Sequence, residues 1–181
     1  MLAEQTLLFL DIQGVLSIPN QPVAQPYAQD VAAPWGAVRG SKELISAIAW
    51  AEWIAPLWIS SFGSQALLWN DWAKPQRWAI AYPLSDQQSA QAAAAFPSAK
   101  QDAKCLAARW CSRRWPHRIV WIEDGFSAIA KAWAAENPKL QLVSTCPFEA
   151  RSSSDRTGLA EWNIEKIRAA LSLDALIPVD P

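Results

Sequence analysis

The chain has 181 residues, of which 51% are hydrophobic and 18% are charged, and its formal net charge is -1. This composition is typical of a globular protein that buries its own core, and the balanced charge gives no general attraction for nucleic acid or an anionic membrane. No apolar stretch approaches the roughly 20 residues that cross a bilayer, and the first residues lack a signal-peptide pattern. We therefore expect a cytoplasmic protein without a membrane span, and nucleic acid is kept only as a weaker alternative partner.

The first predicted element is a strand at residues 7–10, a continuous apolar run that stops at Asp11. Such a run is typical of a strand that is buried on both faces of a parallel sheet. Residues 17–40 follow and are rich in proline, glutamine and alanine, without a regular period. This segment predicts a long excursion that acts as a lid, or minimal cap, over a binding site.

A helix and a second strand are predicted next. Ser41 stands where an N-cap residue belongs, and the spacing of apolar residues predicts a helix over residues 41–53. Pro56 is expected to close this helix. Residues 57–59 then form a second buried strand, which ends at a pair of serines.

The rest of the chain continues to alternate between helix and strand patterns. We predict a helix over 64–73, a strand over 77–82, a loop with some helix over 85–99, a helix over 100–114, a strand over 117–122, a helix over 126–136, a strand over 140–144 and a closing helix over 158–173. This alternation favours a single α/β domain over residues 1–174, with helices on both faces of one doubly wound parallel sheet, and a tail at 175–181.

Cysteine and histidine usage excludes several kinds of site. The three cysteines, Cys105, Cys111 and Cys146, lack metal-ligand spacing and are expected to be reduced thiols. His117, the one histidine, precedes a predicted strand and is expected to face solvent, and by itself it cannot build a zinc site or a serine triad. The twelve tryptophans are expected mainly to fill core positions.

Polar residues follow three of the predicted strands. They are Asp11 after the first, Ser60 and Ser61 after the second, and Glu123 and Asp124 after the strand at 117–122. In open α/β sheets, ligands bind beyond the carboxyl ends of the strands, so these side chains are expected to converge. Converging carboxylates repel one another unless a cation lies between them, and oxygen ligands of this kind suit Mg²⁺.

The same residues resemble the motifs of a known family. An apolar strand followed by Asp-Ile-Gln-Gly-Val-Leu at residues 11–16 resembles the first motif of the haloacid dehalogenase-like (HAD) superfamily. The strand that ends at Ser60 resembles the second motif, and the strand before Glu123 and Asp124 resembles the fourth. The resemblance implies a Rossmann-like fold and a Mg²⁺-dependent hydrolase that acts on a small phosphorylated substrate.

The resemblance also implies a role for each motif residue. Asp11 would be the nucleophile and a metal ligand, while the hydroxyl of Ser60, with Ser61 as the alternative, would hold the transferring phosphoryl group beside Gly14. The third motif is a lysine that neutralises phosphate and nucleophile, for which Lys104 is the first candidate.

Lys100 is the second candidate for that lysine. The implied metal ligands are Asp11, Glu123, Asp124 and the backbone carbonyl of Gln13.

Gln13 departs from the family pattern, in which a second aspartate at this position protonates the leaving group and later activates water. A glutamine amide cannot give up and recover a proton at neutral pH, and loss of a positioned general acid or base costs about 10²- to 10⁴-fold in rate. Two hypotheses follow. One is a hydrolase whose acid/base position is altered, and the other is a catalytically impaired HAD-fold protein that keeps metal or phosphate binding and acts through a partner.

The candidate residues also have ordinary structural interpretations. Asp11 alone is typical of a turn or a helix cap, and Lys104 of a solvated helix surface. The serine pair and the acidic pair could each cap the helix that follows. It is their joint pattern at strand ends that favours a site.

Overall fold

The structure is a computed structural model that describes residues 5–17, 40–146, 159 and 161–173. In this part of the chain, five strands form one sheet: β1 (Thr6–Leu10), β2 (Ile54–Ile59), β3 (Ala79–Tyr82), β4 (Ile119–Glu123) and β5 (Leu140–Ser144). Their order across the sheet is β3-β2-β1-β4-β5, and every neighbouring pair is parallel. The predicted doubly wound α/β architecture is confirmed.

Helices cover both faces of this sheet. They are α1 (Ser41–Trp50), a 3₁₀ helix (Gly63–Asp71), α2 (Asp86–Ala95), a short 3₁₀ helix (Pro97–Ala99), α3 (Ala103–Ser112), α4 (Ala128–Glu136) and α5 (Glu161–Leu171). Buried residues of α1, the first 3₁₀ helix and α5 share one core, and those of α2, α3 and α4 share the other. Among the described residues, none of these helices has the length and apolar character that a membrane crossing requires.

The central strand β1 supplies both cores, because successive side chains of a strand point to opposite faces. Leu8 and Leu10 belong to the core beneath α1 and α5, and Leu7 and Phe9 to the core beneath α3 and α4. Five tryptophans are buried in these two cores: Trp58, Trp69, Trp78, Trp121 and Trp133. Core filling by tryptophan is thus confirmed for these positions, whereas Trp50 is 63% exposed.

The start of α1 differs from the prediction. Gly40, not Ser41, is the N-cap residue, and its φ of +87° is a conformation that glycine adopts without strain. Ser41 is the first helical residue, and its hydroxyl donates a hydrogen bond to the carbonyl of Leu16 at 3.0 Å. The prediction of a Ser41 cap was therefore wrong, because this side chain is used to tie α1 to the turn after β1.

Pro56 does not close the helix as predicted, because α1 ends at Trp50 and Pro56 lies inside β2. A proline lacks the N–H that an interior strand position normally donates. Here β3 pairs with β2 only from Leu57 onward, so Pro56 lies where β2 has one strand neighbour, β1.

The segment at 85–99 is more helical than predicted, since α2 occupies most of it. Ser85 accepts a hydrogen bond from the backbone N–H of Gln88, and the Gln88 side chain accepts one from the backbone of Ser85. This capping box fixes the start of the helix. The body of the predicted lid, residues 18–39, and the predicted tail lie outside the described residues.

The direction in which successive strands are added to the sheet reverses next to β1. From β1 the chain adds β2 and then β3 on one side, and then crosses over to add β4 and β5 on the other. The carboxyl ends of β1 and β4 are therefore neighbours at a topological switch point, which is where ligands bind in folds of this kind.

Candidate functional site

Three carboxylates meet at this switch point. Asp11 follows β1, Glu123 ends β4 and Asp124 comes directly after it, and one oxygen from each lies within 4.8 Å of the others. Asp11 is 1% exposed, Glu123 7% and Asp124 9%. The convergence expected from the strand ends is present, and it brings together carboxylates separated by more than 100 positions in the sequence.

Lys104 lies among these carboxylates. Its Nζ donates to Asp11 Oδ2 at 2.8 Å and to Glu123 Oε1 at 2.5 Å. Burial by itself lowers the pKa of Lys104, but Asp11 and Glu123 outweigh this and raise the pKa above its ordinary value. The lysine is therefore a fixed positive charge. Lys100, the second candidate, is exposed on the surface.

The start of α3 places this lysine. The Asp102 carboxylate accepts a hydrogen bond from the backbone N–H of Cys105 at 2.8 Å, which is an N-cap. Lys104 is the second residue of the helix, so the cap sets the position from which its side chain crosses to β1 and β4.

The carboxylates that share Lys104 outnumber it. Among the described residues, Asp11 and Glu123 both pair with this one ammonium, which leaves one negative charge in excess when all three groups are ionised. Burial raises the pKa of Glu123 to about 8, and the Asp11 carboxylate adds to the rise while Lys104 opposes it. Among the described residues, Glu123 Oε2 is buried and has no hydrogen-bond partner.

Either a proton or a cation relieves this repulsion. The atoms that could bind a cation here are all carboxylate oxygens, which are the ligands of hard cations. One of them, Glu123 Oε2, accepts no hydrogen bond and so keeps its lone pairs for a ligand. The acidic cluster of Asp11, Glu123 and Asp124 therefore fits a metal ion, with Lys104 supplying part of the countercharge.

Gly14 packs directly against this cluster. Its φ is +82°, and a Cβ atom added there would lie 2.2 Å from Asp124 Oδ2. Both the backbone conformation and the space therefore require glycine. The sequence assigned Gly14 to substrate binding, and the structure adds a packing role, since Gly14 lets the turn after β1 approach Asp124.

Two residues that sequence reasoning missed support this turn. Thr145 Oγ1 donates to the carbonyl of Gly14 at 3.3 Å, and the backbone N–H of Thr145 donates to the carbonyl of Glu123 at 3.0 Å. Asn163 on α5 donates through Nδ2 to the carbonyl of Thr145 at 3.1 Å. The polar residues at the end of β5 could have indicated Thr145 from the sequence. The hydrogen bond from Asn163 could not, because it depends on how α5 packs against β5.

The serine pair is divided between two environments. Ser60 is fully buried, and its hydroxyl lies 3.5 Å from the backbone N–H of Phe62. Ser61 is exposed, and its hydroxyl donates to Gln13 Oε1 at 2.9 Å. The hydroxyl open to a ligand is therefore that of Ser61, the alternative of the pair. A backbone carbonyl ligand from Gln13 stays a prediction.

Comparison with known proteins adds no identification. No family model, curated protein or solved structure matches the chain. The resemblance of residues 11–16 to the HAD motif is thus a prediction from the sequence, and function has to be argued from the geometry at the switch point.

Proposed function

We propose that this protein is a Mg²⁺-dependent, HAD-like phosphohydrolase that acts on a small phosphorylated substrate through Asp11. The observation that carries the proposal is the double hydrogen bond of Lys104 to Asp11 and Glu123, beside an acidic cluster that fits a cation. A carboxylate nucleophile, a fixed ammonium and a cation site side by side are what transfer of a phosphoryl group requires.

Each group has a distinct task in the proposed reaction. A carboxylate oxygen of Asp11 attacks phosphorus, and the bond between phosphorus and the leaving-group oxygen breaks, giving an aspartyl-phosphate. Water then attacks phosphorus, which releases phosphate and restores the Asp11 carboxylate. Lys104 and the hydroxyl of Ser61 stabilise the phosphoryl oxygens, and Mg²⁺ held by Asp11, Glu123 and Asp124 supplies charge neutralisation when bound.

Gln13 decides which leaving groups are suitable. Its amide donates hydrogen bonds but not a proton, and Lys104 holds its protons too tightly to act as the acid. Leaving groups that are stable as anions, such as phenolates, carboxylates or phosphates, therefore suit this site better than alkoxides. Aryl phosphates, acyl phosphates and phosphoanhydrides are the substrate classes expected to react.

The test is a panel of acetyl phosphate, p-nitrophenyl phosphate and ethyl phosphate, assayed with and without Mg²⁺. Wild-type protein is expected to hydrolyse the first two faster than the third, and Asp11→Asn to fall to the background rate. Asp71→Asn is the matched control, because the Asp71 side chain is 82% exposed on the 3₁₀ helix. Equal rates for wild type and folded Asp11→Asn on every substrate would refute the hydrolase.

The alternative is a HAD-fold protein that binds metal or phosphate without turnover, and Gln13 is the observation that favours it. Gln13→Asp separates the two, since it restores a carboxyl group to the position where the resemblance expects an acid. If the rest of the site is competent, hydrolysis of ethyl phosphate should rise by about 10²-fold or more. Mg²⁺ binding without turnover in both wild type and Gln13→Asp would support the binding protein.

A further inference from the structure

A cavity of about 500 Å³ opens beside the acidic cluster. It lies between the end of β3, the start of α3 and the connection from β4 to α4, and its walls include both Lys104 and Glu123. Cavities of this size hold small organic ligands. A molecule in the cavity would therefore touch two residues of the candidate site.

The polar groups in one part of the wall are already occupied. Asp102 accepts a hydrogen bond from the backbone of Cys105 and another from the Ser127 hydroxyl. Ser127 in turn accepts one from the backbone N–H of Ala130 at 3.0 Å, so it caps α4 as Asp102 caps α3. These two side chains serve the helix starts, which leaves the other wall residues to contact a ligand.

The rest of the wall combines polar side chains with an aromatic and aliphatic part. Tyr82, Trp121 and Phe126 line it together with Ile129, and Ala103 stands at the start of α3. Trp121 is buried and meets Phe126 edge to face with ring centroids 5.3 Å apart. The rings that a ligand can reach are those of Phe126 and Tyr82, which are each partly exposed. Such rings favour a flat apolar group, which can stack on or pack edge to face against them.

We propose that this cavity binds an aromatic portion of the phosphorylated substrate, so that the substrate class is aryl phosphates and related aryl phosphoryl compounds. This inference rests on the proposed function for the placement of the phosphoryl group next to Lys104. The aromatic specificity itself comes from the partly exposed rings of Tyr82 and Phe126, with the buried Trp121 packed behind Phe126, on the same side of the sheet as α3 and α4.

Calorimetric titration with phosphonates tests the cavity without requiring turnover. In the presence of Mg²⁺, phenylphosphonate is expected to bind wild-type protein about tenfold to a hundredfold more tightly than methylphosphonate, because the ring loses its contact with water. Equal affinities, or no binding of either phosphonate, would overturn the inference.

A pair of variants ties the preference to the cavity. Ala103→Phe fills space at the cavity wall and is expected to abolish the preference for phenylphosphonate, while binding of methylphosphonate is retained. Ala94→Phe is the control, since Ala94 is an exposed alanine on α2 that does not line the cavity. Circular dichroism checks that both variants are folded. A preference that survives in folded Ala103→Phe would place the aromatic group elsewhere and overturn the inference.

Failure of the inference and failure of the proposed function give different results. If phenylphosphonate is preferred but no turnover depends on Asp11, the proposed hydrolase is refuted and the cavity is kept as an aryl-binding site. If turnover depends on Asp11 but phenylphosphonate is not preferred, the hydrolase is kept and the aryl-binding cavity is refuted.

Discussion

Lys104 donates hydrogen bonds to carboxylates from two different strands, and its side chain is 20% exposed. Replacing it with methionine removes the ammonium that Asp11 and Glu123 share. We expect Lys104→Met to lower the free energy of unfolding by about 3 kcal/mol, as measured in urea, because it breaks a largely buried charge network. Added Mg²⁺ should recover part of this loss, since a cation can replace the ammonium.

Lys100→Met is the control for this measurement. Lys100 is exposed just before α3, so its replacement should change the free energy of unfolding by less than about 0.5 kcal/mol. Equal effects of the two substitutions would show that Lys104 does not stabilise the acidic cluster.

Gly14 offers a second test at the scale of a single residue. Gly14→Ala adds a Cβ atom that would collide with Asp124 and strains a backbone with φ of +82°. We expect a loss of about 3 kcal/mol in the free energy of unfolding, together with weaker metal binding. Gly125→Ala is the matched control, because nothing lies within 4 Å of a Cβ atom there. If the two variants behave alike, Gly14 is not needed for close approach.

At the scale of elements, α3 combines an N-cap and a site lysine at its start with a buried apolar face farther along. Burial raises the pKa of the Cys105 thiol on this helix to about 12, with Asp102 adding to the rise and Arg109 opposing it. The folded protein therefore holds this proton more tightly than the unfolded chain does. The resulting contribution to stability is complete below the pKa of an unfolded thiol and is lost as pH rises towards 12.

A pH series on Cys105→Ala measures this contribution. The difference in unfolding free energy between wild type and Cys105→Ala should be constant at neutral pH and should shrink between about pH 9 and pH 12. A difference that does not change over that interval would show that burial of this thiol is not coupled to its proton.

The strands and the acidic cluster could be predicted from sequence because they depend on short patterns. Continuous apolar runs that stop at Asp11 and at Glu123 mark strands buried on both faces, and parallel strands end at one edge. The capping box of α2 was equally local, with Ser85 three residues before Gln88, but the alanine-rich composition of the segment obscured it.

Other features of the site depend on how distant parts of the chain pack together, which a local sequence pattern does not show. The support of Gly14 by Thr145, and of Thr145 by Asn163, joins β1, β5 and α5 through hydrogen bonds. The choice of Lys104 over Lys100 likewise required the position of α3 relative to β1. The division of the serine pair into a buried Ser60 and an exposed Ser61 follows from how the chain turns after β2.

For the whole molecule, the parallel sheet gathers distant acidic residues at its switch point, where their repulsion favours a bound cation. The candidate chemistry depends on this convergence more than on any single motif. Both the hydrolase and the binding protein require it, and they differ only in whether a phosphoryl group is then transferred.

Calorimetric titration of the metal-free protein with Mg²⁺ tests this convergence most directly. Wild-type protein is expected to bind one Mg²⁺ per chain, and Asp124→Asn, which removes a charge but keeps the side chain's shape beside Gly14, should weaken binding by about tenfold or more. Asp71→Asn, at an exposed position, should bind as wild type does. Absence of saturable binding to wild type, or equal affinities of wild type and folded Asp124→Asn, would contradict a cation site at the ends of β1 and β4.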